Sequence, residues 1–174
     1  MTGHLFIYEY YTLGSPARAK LPWPMAHNIR RDMPYYHRVG AEGFYTQLDD
    51  KSFDRYGMNY YLAAKLAWNT RLDVDALMVD YCRHAFGPAA DAMLAWFRRL
   101  EQAMVDADRC LSYGQESPQR WGPKVFPPPV MAEASALLDR ALTAALDGPC
   151  RQRVVLFKTA FDESRQSLAG MKAK

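Results

Sequence analysis

The sequence predicts a mostly α-helical protein that opens with a short parallel β-α-β unit. Two aromatic segments near the N-terminus are short and glycine-bounded, and the residues between them suit a helical crossover. Further along the chain, apolar residues recur at spacings of three and four, which is the pattern of amphipathic helices. These two observations define the fold class, and the elements follow from them in chain order.

The β-α-β unit occupies the front of the chain. Residues 5–11 form the first predicted strand, with Ile7, Glu9 and Tyr11 on one face and Phe6, Tyr8 and Tyr10 on the other. Pro34 should interrupt the crossover, so we expect a helix over 25–32 and a second one over 34–39 that Asp32 caps. Residues 43–47 are the second predicted strand.

The rest of the chain is predicted to be helical apart from one long loop. The predicted elements are helices over 59–69, 74–86 after an Asp73 cap, and 89–111, a loop over 112–127, and a helical hairpin made of 129–146 and 149–169. Trp68 and Trp96 lie in helices and are expected to be packing residues. We divide the chain into terminal β/α units (1–70), a helical region with a long loop (71–127) and a helical hairpin (128–174).

Composition excludes several classes of protein. The chain has 174 residues, 49% of them apolar, and a net charge of only +3, which does not favour a nucleic-acid partner. It has neither a long apolar stretch nor a signal peptide pattern, so we predict no membrane partner. Localisation stays open, and a longer parent protein is compatible with export. Cys82, Cys110 and Cys150 are expected to be ordinary buried thiols, and we predict no metal or cofactor.

A sheet of only two parallel strands is a physical problem. Parallel sheets are normally buried on both faces and have more strands than this. Either the chain belongs to a longer barrel, or helices or a second copy of the chain cover the strand edges. The start of the chain almost on a strand favours a terminal piece of a larger protein.

Several motifs then point to a known family. They are Pro22-x-Pro24 before a helix, Gly40-x-x-Gly43-x-x-x-Gln47, Tyr61-Leu62-x-x-Lys65-Leu66-x-Trp68-Asn69, Asp73-Val74-Asp75 and Phe86-Gly87-Pro88-Ala89-Ala90. Over roughly residues 5–110 the chain resembles the family called domain of unknown function 4838. The resemblance implies the C-terminal end of a (β/α)8 barrel of glycoside-hydrolase type, followed by a helical bundle, and it implies carbohydrate processing. Because most of the barrel is missing, we expect this chain alone to be inactive.

Carboxylates are the candidate catalytic groups, since glycoside hydrolysis uses two of them on either side of the bond. Glu9 is the only carboxylate inside a predicted strand, and we predict it as a catalytic residue or an acceptor for sugar hydroxyls. A structural ion pair with an arginine, or a solvated edge, is the alternative. Asp49 follows the second strand, where barrel chemistry takes place, and we predict that it binds substrate, with Glu9 as its partner. A helix-capping or turn pair with Asp50 is the alternative.

Aromatic and amide side chains are the candidate sugar-binding groups. Aromatic rings stack on sugars and amides bind hydroxyls, in pockets with apolar walls and a few polar groups. The candidates are Tyr8, Tyr10, Tyr11, Trp23, Tyr45 and Gln47. Half of them must lie in the core, because a strand has two faces, and Tyr45 with Gln47 is the preferred pair.

Two functions therefore stay open. In the first, the chain is the C-terminal portion of a glycoside-hydrolase-like protein and contributes sugar-binding residues to a site that upstream barrel strands complete. Its partners would be a carbohydrate and either the upstream barrel portion or a second chain. In the second, the chain is a non-catalytic helical interaction module that forms homo-oligomers.

Overall fold

A computed structural model describes residues 3–11, 21–46, 53–107 and 118–170, without the side chains of residues 53, 54, 118 and 119. The strands are β1 (Leu5–Glu9) and β2 (Ala41–Thr46). The α-helices are α1 (Ala26–Arg38), α2 (Phe53–Trp68), α3 (Val74–Phe86), α4 (Ala90–Asp106), α5 (Pro118–Val125), α6 (Pro128–Ala144) and α7 (Pro149–Ala169), with a 3-10 turn at Gly87–Ala89. The predicted Gln47 and Asp49 lie outside the described residues.

The two strands pair in parallel, as the sequence predicts. Ile7 lies opposite Phe44, Tyr8 opposite Tyr45, and Glu9 opposite Thr46. The connection between the strands contains α1, so the β-α-β unit is confirmed, and the fold is mostly helical with a short parallel sheet. Gly40, with a φ of 81°, makes the turn from α1 into β2 in a conformation that favours glycine.

The crossover differs from the prediction, because α1 is one helix that contains Pro34. Proline lacks an amide hydrogen, so the carbonyl of Arg30 loses its helical donor. The buried side chains of Ile29 and Met33 and the half-buried Tyr36 give α1 one continuous packing face across the proline. The predicted break was wrong, and Asp32 lies inside the helix instead of capping a second one.

Helix α3 begins and ends where the sequence predicts. The Asp73 carboxylate accepts a hydrogen bond from the Asp75 amide at 2.9 Å, which is the expected cap. Gly87 then ends the helix with a φ of 53°. The Cys150 Sγ lies 3.3 Å from the position that a Cβ on Gly87 would take, so α7 packs closely on this turn.

The long loop predicted over 112–127 is wrong for its second half, which forms α5. The helix contains Gly122 and Pro123, both poor helix formers, so local propensity gave no signal for it. Its stability comes from packing, because Trp121, Val125 and Phe126 are buried. The edge of the Trp121 ring meets Trp23 at a centroid distance of 5.1 Å.

One continuous core of buried side chains extends from Tyr11 to Leu168. At its centre are aromatic rings that meet mostly edge to face: Phe86, Trp96, Phe97, Phe157 and Phe161. Trp96 is buried here as predicted, but Trp68 is 92% exposed at the end of α2, so its predicted packing role was wrong. The division of the chain at residues 70 and 127 stays a prediction.

Candidate functional site

The outer face of the sheet, which α1 does not cover, is aromatic and exposed. The Tyr8 ring lies 4.7 Å from the Tyr10 ring and 5.0 Å from the Tyr45 ring, measured between centroids. Phe6 lies on the same face, next to Gly43. Tyr45 is 62% and Phe6 67% exposed. We call these four residues, Phe6, Tyr8, Tyr10 and Tyr45, the aromatic face.

Glu9 is held on the other side of the sheet, towards α1. One carboxylate oxygen accepts a hydrogen bond from the Tyr36 hydroxyl at 2.6 Å, and the other accepts one from the Tyr10 amide at 2.8 Å. Among the described residues, no cationic side chain lies within 4.0 Å of this carboxylate. A tyrosine from α1 therefore orients Glu9 in the described part of the chain.

Two tyrosines near Glu9 keep their protons. Burial, followed by the hydrogen bond to Glu9, raises the pKa of Tyr36 above its ordinary value. Burial also raises the pKa of Tyr11, and the neighbouring Tyr36 adds to the effect. Tyr36 is thus a fixed neutral donor to the Glu9 carboxylate.

The structure separates the predicted sugar-binding residues. Tyr45 lies on the aromatic face together with Tyr8 and Tyr10. Tyr11 is buried in the core beside Phe44, and Trp23 is half-buried between Trp121 and Phe126. Gln47 and Asp49 lie outside the described residues. The structure thus brings Tyr45 together with other tyrosines and places Glu9 on the opposite side of the sheet.

Two side chains of α2 fix the backbone that follows β1. The Asn59 amide nitrogen donates to the carbonyls of Tyr11 at 3.0 Å and Trp23 at 2.8 Å, and its oxygen accepts from the Met25 amide at 3.0 Å. The buried Tyr56 hydroxyl donates to the Leu21 carbonyl at 3.0 Å. Asn59, Tyr56 and Tyr36 could not be found from the sequence. Each makes its hydrogen bonds to a different part of the chain, and a residue within a helix gives no local signal for such bonds.

The described residues limit what chemistry this region offers. Glu42 lies near the N-terminal end of β2 and pairs with His4 at 2.6 Å, away from the C-terminal ends of the two strands. No group of three or more metal-ligating side chains occurs among the residues that the structure describes. Within those same ranges, every helix is too short or too polar to cross a membrane.

The fold and the site together define a class: a helical protein with a short parallel β-α-β unit and an exposed aromatic sheet face. Within that class, the chain belongs to the family designated domain of unknown function DUF4838, whose model matches residues 1–98. The match confirms the family that the sequence motifs suggested. Comparison with curated proteins and with solved structures found no match.

Proposed function

We propose that this chain is the sugar-binding C-terminal portion of a glycoside-hydrolase-like protein. In this proposal, β1 and β2 are two strands of a (β/α)8 barrel, and the aromatic face lies on the inside of that barrel. The observation that carries the proposal is the exposed cluster of Tyr8, Tyr10 and Tyr45 on the face that none of the described helices covers.

The strand geometry supports this proposal. Parallel sheets are normally covered on both faces, and here the described elements cover only one. In a (β/α)8 barrel the helices pack outside and the active site lies at the C-terminal ends of the strands. Tyr45 is the last residue but one of β2, and Tyr10 directly follows β1, so both rings lie at that end.

Aromatic rings in this arrangement suit a sugar ligand. The rings of Tyr8, Tyr10 and Tyr45 are tilted by 43° and 40° relative to one another, so they form a curved surface and not a flat stack. Such a surface offers apolar area for sugar C–H groups, and the phenol hydroxyls can bind sugar hydroxyls. Phe6, further from the strand ends, would pack inside the barrel below the site.

Glu9 has a more restricted role in this proposal than the sequence suggests. Its carboxylate is bound to Tyr36 on the side of α1, away from the aromatic face. This placement favours a role in positioning the end of β1, and a catalytic role would require the carboxylate to leave Tyr36. Glu9→Gln in a chain that includes the upstream strands separates these roles, because an unchanged hydrolysis rate removes Glu9 from the catalytic residues.

The binding proposal is tested with a panel of neutral oligosaccharides on a chain that includes the upstream strands, followed by nuclear magnetic resonance. We expect shifts in β1 and β2, and a loss of binding in Tyr45→Ala of at least about tenfold, typical of a lost aromatic contact. Tyr35→Ala is the matched control, because Tyr35 is 48% exposed on α1 and outside the aromatic face. Equal effects of the two substitutions, or no oligosaccharide binding, would overturn the proposal.

A helical interaction module is the second candidate, and one observation favours it. Trp68 on α2 is 92% exposed and Leu156 on α7 is 57% exposed, so both offer apolar area that a partner chain can bury, and tryptophan is enriched at protein–protein interfaces. If assembly is the function, the chain forms a defined oligomer that Trp68→Ser or Leu156→Ser dissociates, and it binds no oligosaccharide. Sedimentation of the three proteins decides the question.

A further inference from the structure

A second candidate site lies where α2, α3 and α7 meet, and none of its lining residues belongs to the aromatic face. It is an open groove of about 430 Å3. The side chains that give it its chemistry are Tyr61, Lys65, Asp80, Tyr81, His84 and Arg153, and we call it the basic groove.

The wall of the basic groove is aromatic and well supported. The rings of Tyr61 and Tyr81 lie 5.3 Å apart, and Tyr81 meets Phe86 and Phe97 of the core at 6.0 and 6.2 Å. Burial raises the pKa of Tyr81, so its hydroxyl stays neutral. A ligand in the groove would meet a rigid apolar surface formed by the two tyrosines.

Asp80 provides an oriented acceptor in the groove. One of its oxygens accepts a hydrogen bond from the Tyr61 hydroxyl at 2.5 Å, and the other lies 3.2 Å from the His84 Nδ1. The hydrogen bond from Tyr61 is the main cause that lowers the pKa of Asp80, while burial raises the pKa of Tyr61 to about 12. The carboxylate therefore stays charged and keeps a fixed direction.

The positive charges of the groove exceed what Asp80 balances. The Lys65 ammonium lies over the Tyr61 ring at 5.4 Å, and the Arg153 guanidinium donates to the Ala85 carbonyl at 3.0 Å. Neither cation has a carboxylate within 4.0 Å among the described residues. By contrast, Arg30 and Arg55 each have a carboxylate at 2.7 Å. Among the described residues that line the groove, two cations thus accompany one carboxylate, with His84 beside it.

We propose that the basic groove binds a small organic anion that also carries hydroxyl groups. Lys65 and Arg153 bind the anionic group, the tyrosine rings contact the apolar face of the ligand, and Asp80 accepts from a ligand hydroxyl. A carboxylate and a phosphate share this chemistry, since arginine and lysine bind both. The basic groove and the aromatic face share no residues, so this proposal is independent of the proposed function.

Four small probes test this proposal on the 174-residue chain: glucuronate, glucose 6-phosphate, glucose and acetate. In nuclear magnetic resonance titrations, we expect glucuronate or glucose 6-phosphate to shift the amides around Tyr61 and Asp80. The tighter of these two identifies the anionic group. The proposal would be overturned if glucose or acetate bound as tightly as glucuronate and glucose 6-phosphate. It would also be overturned if none of the probes shifted these amides at millimolar concentrations.

Substitutions then assign the roles of the side chains. Lys65→Gln and Arg153→Gln should each weaken binding of the tighter anion about tenfold, typical of losing one charge-assisted hydrogen bond. Lys124→Gln and Arg140→Gln, at exposed positions outside the groove, are the matched controls. All four positions are exposed, so the variants should fold. If the control variants weakened anion binding as much as the groove variants, the proposal would be contradicted.

The variant Asp80→Asn tests whether Asp80 accepts a hydrogen bond from a ligand hydroxyl or acts only as a negative charge near the bound anion. Removal of a negative charge should strengthen the binding of any anion that is held by electrostatics alone. If Asp80 accepts from the ligand, its substitution weakens glucuronate binding and does not weaken acetate binding. Stronger binding of both probes would overturn the role of Asp80.

Discussion

The Phe6 ring occupies the space where a side chain at position 43 would begin. A Cβ placed on Gly43 would lie 2.3 Å from the Phe6 Cδ1, well inside van der Waals contact. Phe6 and Gly43 are opposite each other in the sheet, so the glycine lets the edge of the ring approach the backbone of β2. The aromatic face therefore depends on the absence of a side chain as much as on the rings themselves.

The first prediction concerns this pair. Gly43→Ala should destabilise the chain by about 1–2 kcal/mol, because the Phe6 ring must move away, and its exposure keeps the cost moderate. In a Phe6→Ala background the same substitution should cost about 1 kcal/mol less, since the clash is gone. Urea denaturation of the four proteins measures the difference. Additive effects would show that the ring and the glycine are not coupled.

The second prediction concerns Asn59, which is 1% exposed and binds three backbone groups. Asn59→Ala should cost about 3 kcal/mol, because it leaves one amide and two carbonyls without this partner. Asn69→Ala is the control, as Asn69 makes a local bond to the Arg71 amide at an exposed turn and should cost less than about 1 kcal/mol. Similar losses in thermal or urea unfolding would contradict the proposed role of Asn59.

The third prediction compares two tryptophans on helices. Trp96→Ala should destabilise the chain by about 3–5 kcal/mol, because it opens a cavity among Phe97, Phe157 and Phe161. Trp68→Ala should change stability by less than about 0.5 kcal/mol, since the ring is exposed. If Trp68→Ala lowered the free energy of unfolding of a monomer substantially, the Trp68 ring would have to pack against the chain.

The fourth prediction concerns alkaline pH. Tyr36 has its pKa raised above the ordinary value in the folded state, so the folded chain holds this proton more tightly than the unfolded chain. The resulting stability is complete below about pH 10 and is lost as the pH rises beyond it, by at most about 1.4 kcal/mol per pH unit for this proton. Tyr36→Phe should make the free energy of unfolding less dependent on pH in this range, with a change in slope that corresponds to at most one proton.

Phe44→Leu is the control for the alkaline series. It changes packing next to Tyr11 without removing an ionisable group, so it should lower stability and keep the slope. Urea unfolding between pH 9 and pH 11.5 is the measurement, with both limits chosen around the ordinary tyrosine pKa of about 10. The same slope in Tyr36→Phe and the unsubstituted chain would exclude Tyr36 as the source.

Local signals in the sequence were sufficient for part of the fold. Alternation along β1 correctly placed Phe6 and Tyr8 on one face, because side chains of a strand point to opposite sides. Asp73 marked the start of α3 because a cap is a local hydrogen bond. The alternation could not show which face α1 covers, and this decides that Glu9 faces Tyr36.

Tertiary packing accounts for the errors. Pro34 lies within α1 and Gly122 with Pro123 within α5, because buried neighbours on one helix face outweigh a local cost of about 3 kcal/mol for proline and about 1 kcal/mol for glycine. Trp68 shows the converse, since a large apolar residue in a helical pattern need not be buried. Asn59 and the basic groove could not be found from the sequence, as each joins residues that are distant along the chain.

The hydrogen bonds of Asn59 also bear on which parts of the chain can stand alone. Its amide nitrogen holds the carbonyls of Tyr11 and Trp23 and belongs to α2, a helix that follows the β-α-β unit in the chain. A fragment that ended after β2 would lose this anchor and leave two backbone carbonyls without their donor. The β-α-β unit therefore depends on the helical region for its own stability, and a minimal recombinant fragment should extend at least through α2.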